Sequence, residues 1–254
     1  MLTAITRALS PAIHECELEY FERRPIDFAR AEEQHRAYER CLTDLGARVV
    51  SLPAEPDLPD SVFVEDPALV LDEVAVITRM GAESRRAEGE SLAAALAQFR
   101  PLVRLTDPAT LEGGDVMRVG RTLYVGASAR TNAAGIEQLG RELAAYGYTV
   151  VAVKVHGCLH LKSACTYLGD DTILANQAWI DMGPLRGFRI VDVAHGEPGA
   201  GNTLTVNGTV LVPSAFPETA AILEGRGYRV RTLDISELMK AEAALTCSSL
   251  IFEA

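Results

Sequence analysis

The chain has little that would bind a polyanion or a bilayer. Its 24 lysines and arginines are outnumbered by 35 acids, for a formal net charge of −11, so nucleic acid and anionic membrane surfaces are poor partners. No apolar run approaches the ~20 residues of a membrane-spanning helix. Residues 1–7, MLTAITR, lack the charged, then apolar, then small layout of a secretory signal. Cysteine is scarce: Cys16, Cys41, Cys158, Cys165 and Cys247 are odd in number and include no CxxC pair. A disulfide scaffold is thereby excluded, and reduced thiols in a cytoplasmic protein are the expectation. No Pro/Gly-rich linker or shift of composition divides residues 1–254, which are expected to form a single domain with a sizeable core.

What is present is a recurring order of strand and helix signals. Leu2–Arg7 reads as a strand. Asp27 then stands as an N-cap before Phe28, Ala31, Tyr38, Cys41, Leu42 and Leu45, which follow helical spacing, and Gly46 closes the helix before a strand at Arg48–Leu52. The next block offers strands at Ser61–Val64 and Val74–Thr78, a helix capped by Ser84, and a strand at Leu102–Leu105. A third gives Val116–Val119, Leu123–Val125, a helix through Ile136 to Tyr146 ended by Gly147, and Thr149–Val153. Hairpin signals at Gly169-Asp170-Asp171 and Asn207-Gly208 mark two more blocks. A last strand, Ser248–Phe252, supplies the one that the first block lacks. The expectation is an α/β fold of five strand–strand–helix–strand units, the first completed by joining the termini.

Cys247, in Leu245-Thr246-Cys247-Ser248-Ser249, and His160, in Leu159-His160-Leu161-Lys162, are the parts a thiol-based enzyme needs. Alone they say little, because most cysteines are structural and most histidines are satisfied where they stand. Acids give the pair its meaning. Glu65 and Asp66 close an apolar run, and Glu112 precedes Gly113-Gly114, which lets backbone approach a neighbour or ligand closely. Arg85-Arg86 and Arg130 stand where helices begin, although anions are favoured there. A binding role explains that placement; a solvated helix end is the alternative. His156, Cys158 and His160 would share one face of an extended segment, but no fourth ligand at standard spacing accompanies them. No metal and no organic cofactor is expected.

Seven segments, "FARAEEQHRAY", "PDSVFVEDPA", "ITRMGAESRR", "LEGGDV", "SARTN", "CLHLKS" and "LTCSS", occur in the order seen in the dimethylarginine dimethylaminohydrolases, and the chain resembles that family over nearly its whole length. The resemblance implies the guanidino-group modifying superfamily and its five-bladed ββαβ propeller, the pentein fold with pseudo-five-fold repetition. It implies hydrolysis of methylated arginine to citrulline through a covalent adduct on Cys247. His160 would be the general acid/base, Glu112 would orient it and bind the guanidinium, and Asp66, beside Glu65, would hold the guanidinium from the other side. Arg85 and Arg130 would grip the α-carboxylate. Asp60 and the backbone around Leu18 would receive the α-ammonium, with the loop from Pro11 to Pro25 as a lid. Ala200-Gly201-Asn202 and Glu242-Ala243-Ala244 depart from the family pattern, the latter where glycines are more usual.

The implied partner is a small guanidino substrate; a homodimer is compatible, and neither nucleic acid nor membrane is called for. Three alternatives stay open. An arginine deiminase would use the same residues on unmethylated arginine, and an amidinotransferase would pass the adduct to an amine. A non-catalytic guanidine- or metal-binding protein would form no adduct at all.

Overall fold

Strand pairs and single helices alternate along the computed structural model, which describes residues 1–254. They build five three-stranded sheets of one design. In each, the middle strand pairs antiparallel with one neighbour and parallel with the other. The parallel neighbour is reached by a crossover, which a two-residue turn cannot make. The sheets group into two compact units, one of residues 1–64 with 193–254 and one of residues 65–192.

The first unit holds two sheets. Leu2–Arg7 lies between Leu250–Glu253, antiparallel, and Arg48–Leu52, parallel, so the two ends of the chain do complete one block. Its crossover helix is Phe28–Asp44; the Asp27 side chain accepts from Arg30 N, and Gly46 follows at φ +91°. The Asp27 cap satisfies one of the donors a helix start leaves open, worth about 1 kcal/mol. The second sheet pairs Leu204–Val206 with Thr209–Pro213 and Arg229–Leu233. Its hairpin turns at Asn207 and Gly208, both at positive φ, the backbone a two-residue turn requires. Leu42, Tyr38, Leu211 and Leu245 are among its core.

The second unit holds three sheets: Ala68–Val70, Ala75–Ile77 and Leu102–Arg104; Val116–Val119, Thr122–Ala127 and Thr149–Lys154; Cys165–Gly169, Thr172–Ala175 and Arg189–Asp192. The helix Ala133–Leu143, capped by Asn132, buries Leu139 and Leu143 against Leu123 and Val125.

Three local expectations fail. Ser61–Val64 is turn, not strand: Ser61 N donates to Leu58 O and Phe63 N to Asp60 O. Its apolar side chains are buried without a ladder, and the strand begins after Pro67 instead. Ser84 caps nothing, because a 3₁₀ turn over Glu83–Glu88 precedes the helix Gly89–Leu96. Residues 156–160 are bends rather than strand, so the one-face argument for His156, Cys158 and His160 does not apply.

Candidate active site

A recurrent location organises the chemistry. Asp66, Glu112, His160, Asn202 and Cys247 each stand within five residues of the first strand of a different sheet. These segments leave the ladder and turn, so their side chains are free to converge on polar partners rather than on the sheet core.

In the unit of residues 65–192, His160 is buried between two carboxylates. Its Nε2 lies 2.8 Å from Glu112 Oε2, and its Nδ1 lies 4.0 Å from Asp66 Oδ1. Glu112 is fully buried, and its other oxygen accepts from Gly81 N at 3.1 Å, Ala82 N at 3.2 Å and Arg130 Nη1 at 3.4 Å. Asp66 accepts from Gly114 N at 3.0 Å and from Arg85 Nη1 at 2.9 Å, while Arg85 Nε and Nη2 hold both oxygens of Glu88. The signs alternate through Glu88, Arg85, Asp66, His160, Glu112 and Arg130. Burying so many ionised groups is costly unless each is paired, and this order pairs every one.

The glycines of "LEGGDV" make the approach possible. A Cβ on Gly114 would stand 2.5 Å from His160 Nδ1 and 2.8 Å from Asp66 Oδ1, and one on Gly113 would stand 2.0 Å from Glu65 O. Any larger residue at either position would push the acids and the imidazole apart.

Electrostatics follow from the packing. Burial disfavours a charged imidazole, but the Asp66 charge and the Glu112 hydrogen bond outweigh it and raise the His160 pKa to about 9. Burial likewise opposes the Glu112 charge, and the hydrogen bond to His160 overcomes it and lowers that carboxyl to about 2. His160 is thus an imidazolium at neutral pH. With Nε2–H directed to Glu112, Nδ1 is the nitrogen turned toward Asp66.

Asp115 was not singled out from the sequence. It is fully buried, and burial pushes its carboxyl up. One oxygen accepts from Leu161 N at 2.9 Å and the other from Ser128 Oγ at 2.6 Å. That hydroxyl in turn accepts from Arg130 N and Thr131 N. Asp115 therefore ties the turn after His160 to the turn that carries Arg130; its adjacency to "LEGG" was the only local signal. Glu65 faces Lys162 in an ion pair.

Asp66, Glu112 and His160 offer donor atoms within 4.8 Å of one another, a set able to hold a compact cation. His156 is not in it, and burial pushes the Cys158 thiol up to about 12, which disfavours the thiolate a metal would need.

The other unit carries Cys247, Asp60 and Leu18. Cys247 is half-buried in the 3₁₀ turn Thr246–Ser248, and Ala244 N donates to its Sγ at 3.4 Å. Neutral groups hold this turn. Asn202 Oδ1 accepts from Thr246 N at 3.2 Å while its Nδ2 donates to Thr246 Oγ1 at 3.0 Å. Tyr38 Oη donates to Leu245 O at 2.9 Å and lies 2.6 Å from Ser249 Oγ. Asp60, buried, accepts from Glu17 N at 3.0 Å, which fixes the backbone leading into Leu18. Two of the residues expected at the α-ammonium end are thus drawn to one corner. The sequence offered Asn202 only as a departure from the family pattern and Tyr38 only as a helical position; their contacts with this turn lie 44 and more than 200 residues away.

Five mixed three-stranded sheets, four with an α-helical crossover and one crossed by 3₁₀ turns, with Asp66, Glu112, His160 and Cys247 ahead of their strands, define the class of guanidino-group modifying α/β propellers, the pentein fold. The arginine deiminase family model matches residues 53–198. Over 89% of its length the chain is 39% identical to the N(G),N(G)-dimethylarginine dimethylaminohydrolase of Pseudomonas aeruginosa, 90% of which is covered. It is 40% identical to that of Streptomyces coelicolor, with 97% of this chain and 95% of that one covered. The solved structure of the Pseudomonas aeruginosa protein, a cysteine-to-serine mutant complexed with citrulline, superposes with a TM-score of 0.94 at 36% identity, covering 99% of this chain and all of that one. The chain belongs to the arginine deiminase family and, within it, to the dimethylarginine dimethylaminohydrolases.

Proposed function

We propose that the chain hydrolyses arginine methylated on a terminal guanidino nitrogen, giving citrulline and dimethylamine or methylamine. The observation that carries this is the His160 imidazole set between Asp66 and Glu112, in a chain whose relatives bear the dimethylarginine dimethylaminohydrolase name. The citrulline in the solved relative is the product this reaction would leave.

A guanidinium carbon is a poor electrophile because its charge is spread over three nitrogens. Carboxylates paired with those nitrogens localise the charge and fix the plane for attack; Asp66 and Glu112 are assigned that work. Cys247 Sγ, as thiolate, adds to the carbon. At ~4 Å and an effective dielectric of ~20, a guanidinium favours the thiolate by about 4 kcal/mol, so substrate helps to ionise its own nucleophile. The C–N bond then breaks as His160 Nδ1 gives its proton to the leaving amine, and an S-alkylthiouronium remains on Cys247. The neutral imidazole takes a proton from water, hydroxide adds to the carbon, and the C–S bond breaks to return the thiolate and release citrulline. The hydroxyl proton on the new urea passes to solvent and the released amine takes one up, so guanidinium substrate and one water become citrulline and one alkylammonium ion, and His160 ends as it began.

Arg85 and Arg130 are assigned to the α-carboxylate, and Asp60 with Leu18 to the α-ammonium. Arg85 already holds Asp66 and Glu88, so a substrate carboxylate would share that guanidinium with them. All five cysteines are free, and no helix is long and apolar enough to cross a membrane, both in keeping with a cytoplasmic location. The test is citrulline formation from arginine, monomethylarginine and asymmetric dimethylarginine side by side. The methylated substrates should give the higher kcat/KM; preference for arginine selects the deiminase reading, and citrulline from none of them rejects both.

A further inference from the structure

Glu242 has a backbone and a side chain that both ask for an explanation. Its φ is +57°, a conformation that glycine adopts freely and glutamate rarely. The other non-glycine residues at positive φ are Asp170, Asp171 and Asn207, all in hairpin turns and all of types that tolerate it. What the Glu242 conformation achieves is a convergence. Its Oε1 accepts from three consecutive backbone amides, Glu19 N at 3.0 Å, Tyr20 N at 2.6 Å and Phe21 N at 2.6 Å. Successive amides aimed at one point form an anion nest, and here the anion is supplied by the chain itself.

The stretch so held needs holding. Residues 17–25 form no helix or strand, and Tyr20 and Phe21 are 48% and 57% exposed. Its other ties include Asp60 to Glu17 N, Lys240 Nζ to Pro25 O at 3.0 Å, and Arg23 Nη1 and Nη2 to the carbonyls of His14 and Cys16. Leu18 therefore hangs between the Asp60 contact on one side and the Glu242 nest on the other. Glu242 itself stands five residues before Cys247, on the turn after the helix Ser236–Met239. Its second oxygen, Oε2, is buried without a hydrogen-bond partner. A half-satisfied carboxylate is a reversible tie, since rehydration of Oε2 offsets part of what is lost when the nest opens.

We propose that Glu242 is a positioning residue. It fixes the 11–25 loop, and through it Leu18, for capture of the α-ammonium end of the substrate. The proposal rests on the functional reading above for the identity of that substrate end, but the tie itself is testable without turnover.

Glu242→Gly removes the carboxylate and suits the backbone. Trypsin should then cut after Arg23, in the exposed Arg23-Arg24 pair, about tenfold faster than in the parent, the loss of one charged hydrogen-bonding anchor being of that size. KM for the methylated substrate should rise by a similar factor with little change in kcat, and saturating citrulline should slow cutting in the parent. Glu242→Gln keeps an acceptor and should fall between the two. Unchanged cutting in both variants overturns the tie. Faster cutting with unchanged KM overturns the positioning role, and so does a loss confined to kcat. A parent that makes no citrulline, with Glu242→Gly still cut faster, leaves the tie standing and fails the functional reading instead.

Discussion

The two units solve the problem of holding a reactive group in opposite ways. His160 is held by charge: two carboxylates, themselves braced by Arg85 and Arg130, surround it in a buried network. Cys247 is held by neutral partners, the Asn202 amide and the Tyr38 hydroxyl on its turn and one backbone N–H on its sulfur. An acid that must stay protonated at neutral pH benefits from nearby carboxylates. A thiol that must ionise does not, since a fixed anion would raise its pKa. In the proposed mechanism the two carboxylates beside the imidazole, Asp66 and Glu112, have the second task of holding a guanidinium.

Substitutions can break this contrast at either end. Cys247→Ser should lower citrulline formation by at least about 10⁴-fold with the unfolding midpoint unchanged, because the turn is held by Asn202 and Tyr38; retained turnover would reject the nucleophile. Glu112→Gln should cost about 10²–10⁴ in kcat. It should also move the alkaline limb of the pH–rate profile to lower pH, since His160 must be protonated to act and loses the partner that keeps it so. An unmoved limb would contradict the Glu112 role.

Gly114→Ala places a methyl group against both His160 and Asp66. It should destabilise the fold by about 1–3 kcal/mol in urea unfolding and remove activity with it; a stable, active variant would show that the close approach is not needed.

The charged side also predicts how stability changes with pH. The His160 pKa is raised in the fold, from 6.5 to about 9. Its contribution is complete below pH 6.5 and is lost as pH rises through 9, amounting to about 3 kcal/mol. Unfolding free energies at pH 6 and pH 9.5 should differ by less in His160→Gln than in the parent. Equal differences would mean that another group carries the alkaline loss.

The smallest effect belongs to the neutral side. Asn202→Ala removes two uncharged hydrogen bonds to Thr246 and should cost about 1–2 kcal/mol of stability, with kcat falling more than KM rises. A selective KM effect would place Asn202 elsewhere in the mechanism.

What the sequence disclosed follows from what is local. Asn207-Gly208 and Gly169-Asp170-Asp171 were legible as turns because positive φ restricts residue choice. The Asp27 cap and the helix after it were legible because capping and three-and-four spacing act within one turn. The block missing one strand pointed to the pairing of the termini. Ser61–Val64 misled because apolar β-branched residues also fill buried turns, and Ser84 because a 3₁₀ turn holding Arg85 against Glu88 intervenes. The sequence also brought Glu112 and His160 forward as partners. Asn202 and Glu242 were visible only as departures from the family pattern and Tyr38 only as a position on its helix; the hydrogen bonds through which they and Asp115 act reach residues far along the chain, and no local pattern encodes them.

The central claim is that the Cys247 sulfur takes the guanidinium carbon while His160 moves the proton. Acid quenching of His160→Ala during reaction with S-methyl-L-thiocitrulline, whose thiolate leaves without a proton from the imidazole, followed by peptide mass analysis, tests it most directly. Expected is the mass of substrate less methanethiol on the peptide that carries Cys247, accumulating because no imidazole activates water, and little adduct from asymmetric dimethylarginine, whose amine needs the His160 proton to leave. Turnover by that variant at the parent rate, or an adduct on any other residue, would contradict it.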